Sequence, residues 1–182
     1  MAPELRVGRS LAVGVSEMRP AILFLDTNIL LDCPRPGDYR LPGRRLTLVV
    51  IPEVMRELRG LAKAPGRGQV GAAGQALAAL ESLARRRGSD AGVPTGSAGV
   101  SFRILPGQPG GEINTDRQLV LRAKAEQARQ RGAMVAVVTR DRGVAELARA
   151  ERVKSILIRG GFDPAQLERG VAEHDTMLDI EL

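Results

Sequence analysis

The chain has 182 residues, 43% of them hydrophobic, which is enough to bury one sizeable core and short for two ordinary domains. Three Phe, one Tyr and no Trp leave that core to Val, Ile, Leu and Ala and remove aromatic stacking as the means of holding a nucleic acid, while the single Cys33 excludes an internal disulfide and a cysteine metal cluster. The net charge of +6 hides an asymmetry: residues 161–182 hold six acids and one Arg, so 1–160 carry 26 basic and 15 acidic residues, a body of +11 before a tail of −5. Such a body suits a polyanionic partner, although ordinary solubility charge has the same signature.

Residues 1–20 carry Glu4, Arg6, Arg9, Glu17 and Arg19 where a signal peptide would need an apolar core. No later apolar run approaches the roughly 20 residues that span a bilayer, so the expectation is a cytoplasmic protein with no membrane partner. Ala21 to Leu25 is a short apolar run ending at Asp26, and Leu46 to Ile51 is a second, closed by Pro52; both read as buried strands. Glu53 to Lys63 has helical spacing, with Val54, Leu58 and Leu61 on one side. A second helix is expected from about Gln69 to Arg87 on the stripe Ala76, Leu77, Leu80 and Leu83.

From Gly88 to Gly99 the composition turns to Gly, Ser, Ala, Pro and Thr, which predicts a mobile loop. Val100 to Leu105 is a candidate strand, followed by a flexible stretch from Pro106 to Gly111. Asn114 or Thr115 can cap a helix that runs to about Arg131. Met134 to Val138 is the most strand-like segment of the chain, and a helix over about Arg142 to Ala150 and a strand over Val153 to Ile158 complete an alternating series. Strands separated by helices imply a parallel sheet with right-handed crossovers and helices on both faces. Ligands of such sheets sit beyond the carboxyl ends of the strands, near the point where strand order reverses.

Asp26 and Asp141 both follow predicted buried strands and so belong on that edge. Asp116 lies in the first turn of a helix whose preceding strand ends there, and Glu57 sits one turn into the helix after Ile51. Four carboxylates at one rim repel one another unless a cation neutralises them, and Mg²⁺ or Mn²⁺ is the hard ion that oxygen ligands suit. Glu53 is four residues from Glu57, on the same helical face, and is the alternative second acid. Taken singly, Asp26, Asp116 and Asp141 are also ordinary turn or cap residues. Asp32, Asp38 and Asp90 read as solvated loop acids, and His174 as a lone surface His.

Four segments, Leu25-Asp26-Thr27-Asn28-Ile29-Leu30, Glu57-Leu58-Arg59-Gly60-Leu61, Asn114-Thr115-Asp116-Arg117-Gln118-Leu119 and Val138-Thr139-Arg140-Asp141, give the chain a resemblance to the PIN-domain nuclease family. It looks most like the PIN domains of PhoH-like proteins and RNA-decay nucleases. The resemblance covers about residues 20–160, leaving 1–19 as an N-terminal extension and 161–182 as an acidic C-terminal extension. It implies an α/β, three-layer fold with a five-stranded parallel sheet of order 3-2-1-4-5, and metal-dependent endoribonuclease activity. Asp26, Asp116 and Asp141 would be the metal ligands, Glu57 would complete the catalytic set, and Asn28 and Thr139 would support them. Arg56, Arg59 and Lys63, beside Glu57 in sequence, would contact RNA, unless they form only a solvated helix face.

The partner classes left open are RNA, a second copy of the chain in a homodimer, and an antitoxin or other regulatory protein. Two further readings use the same fold: a catalytically silent RNA-binding or assembly module, and the toxin of a toxin-antitoxin pair. A haloacid-dehalogenase-type phosphatase needs a second Asp two positions after the first, where this chain has Asn28.

Overall fold

The computed structural model describes residues 19–64, 70–86, 92–107 and 114–178. Strand β1 (Ala21–Leu25) leads through α1 (Thr27–Asp32) and a 3-10 turn at Pro36–Asp38 to β2 (Leu46–Val50), α2 (Pro52–Lys63) and α3 (Val70–Ala84). The chain continues through β3 (Val93–Pro94), β4 (Val100–Ile104), α4 (Thr115–Arg129), β5 (Met134–Thr139), α5 (Arg142–Ala150), β6 (Lys154–Leu157) and α6 (Pro164–Leu178). No helix among the described residues is long and apolar enough to cross a membrane.

β1 lies at the centre of the sheet, in parallel register with β2 on one side (Leu23 opposite Leu48) and β5 on the other (Leu23 opposite Ala136). All of β1 and β5 is buried, which is why both read as unbroken apolar runs without alternation. Connections from β1 through β2 to β4 step one way along the sheet; α4 carries the chain back to β5, and α5 continues outward to β6. Right-handed crossovers then put α1 to α3 on one face and α4 and α5 on the other. The packing of α1 and α2 on α3, and of α4 on α5, agrees with that division. The direction of travel reverses between β1 and β5.

The fold departs from the sequence expectations at the sheet edge and goes beyond them in α1 and α6. The sheet has six strands in the order β3-β4-β2-β1-β5-β6, not five in the order 3-2-1-4-5, because β3 pairs antiparallel with β4 at the edge. Gly92 makes this possible: its φ is +99° and a Cβ there would lie 2.9 Å from the Phe102 carbonyl oxygen. Pro94, which has no N–H to donate, is tolerated because the strand is at an edge. The stretch read as a loop thus holds a short strand, and residues 88–91 and 108–113 lie outside the described residues.

The segment after 160, read as an acidic C-terminal extension, holds α6, which packs on β6. Leu167 and Val171 are in the core, and Phe162 packs on Tyr39 with ring centroids 4.8 Å apart. Gly170 comes so near β6 that a Cβ would meet the Ile156 side chain at 2.5 Å. Asp175 pairs with Arg44, so one acid of the tail does meet the basic body, as an ion pair fixed by the fold. His174, expected at the surface, is half-buried with Nε2 3.0 Å from the Ser155 carbonyl oxygen. Helix α1, capped by Asp26, is not among the elements expected from the sequence.

Candidate functional site

The carboxyl ends of β1 and β5, side by side where the crossovers change direction, are joined by one hydroxyl. Thr139, last residue of β5 and fully buried, donates from Oγ1 to Asp26 Oδ2 at 2.6 Å and accepts the Asp141 N–H at 2.9 Å. Asp26 itself is only 4% exposed. It caps α1, with Oδ1 accepting the Thr27 N–H at 2.6 Å, while Oδ2 also accepts Asn28 Nδ2 at 2.8 Å. Burial pushes its carboxyl above the ordinary range and the negative charge of Asp116 adds to this; the bonds from Thr139, Thr27 and Asn28 oppose the shift.

Asp141 is exposed and caps α5, its Oδ1 accepting the Gly143 N–H at 2.6 Å. Asp116 is exposed in the first turn of α4, which Asn114 caps through the Arg117 N–H at 3.0 Å. Partial desolvation raises the Asp116 carboxyl, and the charges of Asp141 and Glu57 raise it further. Asp116 is therefore within electrostatic reach of the other three acids. Glu57 is exposed on α2 and its Oε2 accepts the hydroxyl of Thr27, the residue after Asp26.

Between the two candidates on α2 the arrangement discriminates. Glu53 is 8% exposed, holds Arg56 at 3.4 Å through Oε1, and buries Oε2 with no hydrogen-bond partner. Glu57, in contrast, is linked to the group through Thr27 and Asp116.

Among the described residues no group of three or more His, Cys, Asp or Glu side chains is arranged to hold a metal ion. The donor chemistry nevertheless fits a hard divalent cation, being carboxylate oxygen throughout. Mg²⁺ in particular keeps most of its waters and takes only one or two carboxylates directly. Asp26 Oδ1 accepts a single hydrogen bond and so retains a lone pair, and Asp116 and Asp141 are open to solvent. The site is an open rim. A cavity of about 720 Å³ lies elsewhere, lined by Pro20, Gly99 and Ala133 at the amino ends of the strands, and contains none of the four acids.

No family model and no curated protein matches the chain. Among solved structures, "A domain of a functionally unknown protein from Methanocaldococcus jannaschii DSM 2661" is similar, with a TM-score of 0.49 and 15% identity over 79% of this chain and 94% of that one.

The basic residues of α2 are exposed as expected but partly engaged. Arg56 pairs with Glu53 and Arg59 with Glu81 at 3.3 Å, while Lys63 is exposed in the last turn. Asp32, read as solvated, instead accepts Arg140 Nη1 at 2.9 and 2.8 Å, and Asn28 Oδ1 accepts the Arg140 N–H at 3.0 Å. Asn28 and Asp32 are four residues apart on α1 and share a face, a pairing visible in sequence only if α1 is recognised as a helix.

Proposed function

We propose that this chain is a cytoplasmic, PIN-type ribonuclease that hydrolyses RNA phosphodiester bonds with Mg²⁺ or Mn²⁺ at the rim of Asp26, Glu57, Asp116 and Asp141. The observation that carries the reading is the Thr139 hydroxyl bridging Asp26 and Asp141 at the carboxyl ends of adjacent strands, where an open parallel sheet places its ligand. A second support is the electrostatic coupling of Asp116 to Asp26, Asp141 and Glu57, which adds to burial, the larger cause, in raising the Asp26 and Asp116 carboxyls.

In this reading Asp26, immobilised by Thr27, Asn28 and Thr139, is the fixed ligand. Asp141, exposed at the start of α5, would be the second ligand. Asp116 completes the metal site directly or through a water, and Glu57 orients water from the α2 side, steadied by Thr27. A divalent cation bound there supplies charge neutralisation at the scissile phosphate and lowers the pKa of water. Exposed Arg56, Arg59 and Lys63 extend a basic surface outward from Glu57.

A second reading, favoured by the exposed cations Arg56, Arg59, Lys63 and Arg140, which need no metal to meet phosphate, is a silent RNA-binding or assembly module. A cleavage assay on single-stranded RNA with Mg²⁺, Mn²⁺ or chelator separates the two. The ribonuclease reading expects cation-dependent cleavage that disappears in both Asp26→Asn and Asp141→Asn. RNA binding without cleavage in any cation, or cleavage unaffected by both substitutions, overturns it.

A further inference from the structure

Four carboxylates at one rim repel the phosphates of an approaching RNA, so a nuclease built on them needs a cation placed beside them that does not depend on the metal. Arg140 is the basic residue whose backbone is tied to that rim. It lies between Thr139 and Asp141, and its N–H is fixed by Asn28, whose other end holds Asp26. Its guanidinium is not free to swing: both carboxylate oxygens of Asp32 accept from Nη1, at 2.9 and 2.8 Å. Asp32 therefore engages a single nitrogen. The Nε and Nη2 donors, the edge that pairs bidentately with carboxylate or phosphate, have no partner among the described residues, and the side chain is 40% exposed.

From this geometry we propose that Arg140 anchors an RNA backbone phosphate adjacent to the one hydrolysed, with Asp32 as the residue that positions it. The inference rests on the ribonuclease reading and deepens it by naming the contact that sets the RNA against the acids. Asp32 orders the side chain before substrate arrives, so less rotamer entropy is lost on binding. Arg56 and Arg59 differ in that their ion pairs, longer at 3.4 and 3.3 Å, engage Nη2, one of the two donors of that edge. If the Arg140–Asp32 pair instead served only to tie α1 to the turn before α5, its loss would show in stability and not in RNA affinity.

The test is fluorescence anisotropy of a labelled single-stranded RNA with the full chain in chelator, as a function of salt, alongside thermal unfolding. Each phosphate neutralised contributes about −0.7 to the slope of log K against log salt on a single strand. Arg140→Ala should therefore make the slope shallower by about that amount. Arg140→Lys should keep the slope while weakening affinity severalfold, because a point charge replaces the fork. Asp32→Ala should also keep the slope and lose affinity. Arg131→Ala, which removes the same charge from an exposed position outside the rim, should leave the slope as it is. A folded Arg140→Ala protein with the wild-type slope overturns the proposal, and a lower melting temperature with that slope assigns the pair a purely structural role. Wild-type protein that binds RNA and shows the Arg140 effect, yet never cleaves, would remove the ribonuclease reading and leave the anchor standing. Wild-type protein that does not bind RNA at low salt overturns both.

Discussion

Replacing Thr139 by Val keeps the shape of a fully buried side chain and removes only the hydroxyl that joins Asp26 to the Asp141 backbone. A hydrogen bond to a charged group contributes about 1.5–3 kcal/mol, and the abandoned Asp141 N–H, only partly buried, adds up to about 1 kcal/mol. The expected cost at neutral pH is thus about 2–4 kcal/mol, measured by urea unfolding in chelator as a lower midpoint at unchanged m. The loss must depend on pH. Asp26 has its folded-state carboxyl raised, so burying it charged is a penalty that is fully present above the folded pKa and relieved as pH falls through it. Without the Thr139 bond that carboxyl rises further, making the penalty larger at neutral pH while leaving the protonated state less affected. The deficit of Thr139→Val should therefore be smaller at acid pH than at neutral pH. Thr139→Ser should recover most of the loss. A deficit under about 0.5 kcal/mol at neutral pH, or one equal at both pH values, would refute the reasoning.

Mn²⁺ should raise the melting temperature of the wild-type protein, by linkage, and leave that of Asp26→Asn unchanged; equal shifts in both would place the ion elsewhere. Its apparent affinity should weaken on acidification at a higher pH than for ordinary carboxylates, since the raised Asp26 and Asp116 take up protons earlier. Glu57→Gln should reduce cleavage more than Glu53→Gln, and a reversed order in the rate assay would show that the wrong helical turn was chosen. Gly170→Ala ought to gain about 1 kcal/mol from helix propensity, but the 2.5 Å approach to Ile156 should turn this into a net loss of about 1–2 kcal/mol in chemical unfolding. Truncation after Gly160 should destabilise the protein strongly, because Leu167 and Val171 leave the core; a truncated protein of native stability would restore α6 to the status of an appendage.

What was legible in the sequence is what periodicity and strand ends encode. The runs Ala21–Leu25 and Met134–Val138 announced two buried strands, and the acids that soon follow them, Asp26 and Asp141, belong on a common edge. Thr139 is polar, yet it is buried as completely as the apolar residues before it because both functions of its hydroxyl are satisfied. Shorter or tertiary signals were not legible. The two residues of β3 are too few to show alternation, and their pairing depends on the backbone freedom of Gly92. In α6 the acids Glu168, Glu173 and Asp175 stand among the apolar positions and obscure the spacing of Leu167 and Val171, which are buried while Glu168 and Glu173 are exposed. The Asp32–Arg140 pair spans 108 positions and follows from helix α1, six residues whose helical state is fixed by the Asp26 cap more than by propensity.

The account stands on a divalent cation at the junction of β1 and β5, and anomalous scattering from crystals soaked in Mn²⁺ tests it most directly. The predicted result is a peak with a carboxylate oxygen of Asp26 or Asp141 at a direct ligand distance of about 2.1 Å, and with Asp116 as a further ligand or holding a coordinated water. A rim without a peak while Mn²⁺ occupies another site, or a rim peak unchanged in crystals of Asp26→Asn, would contradict it.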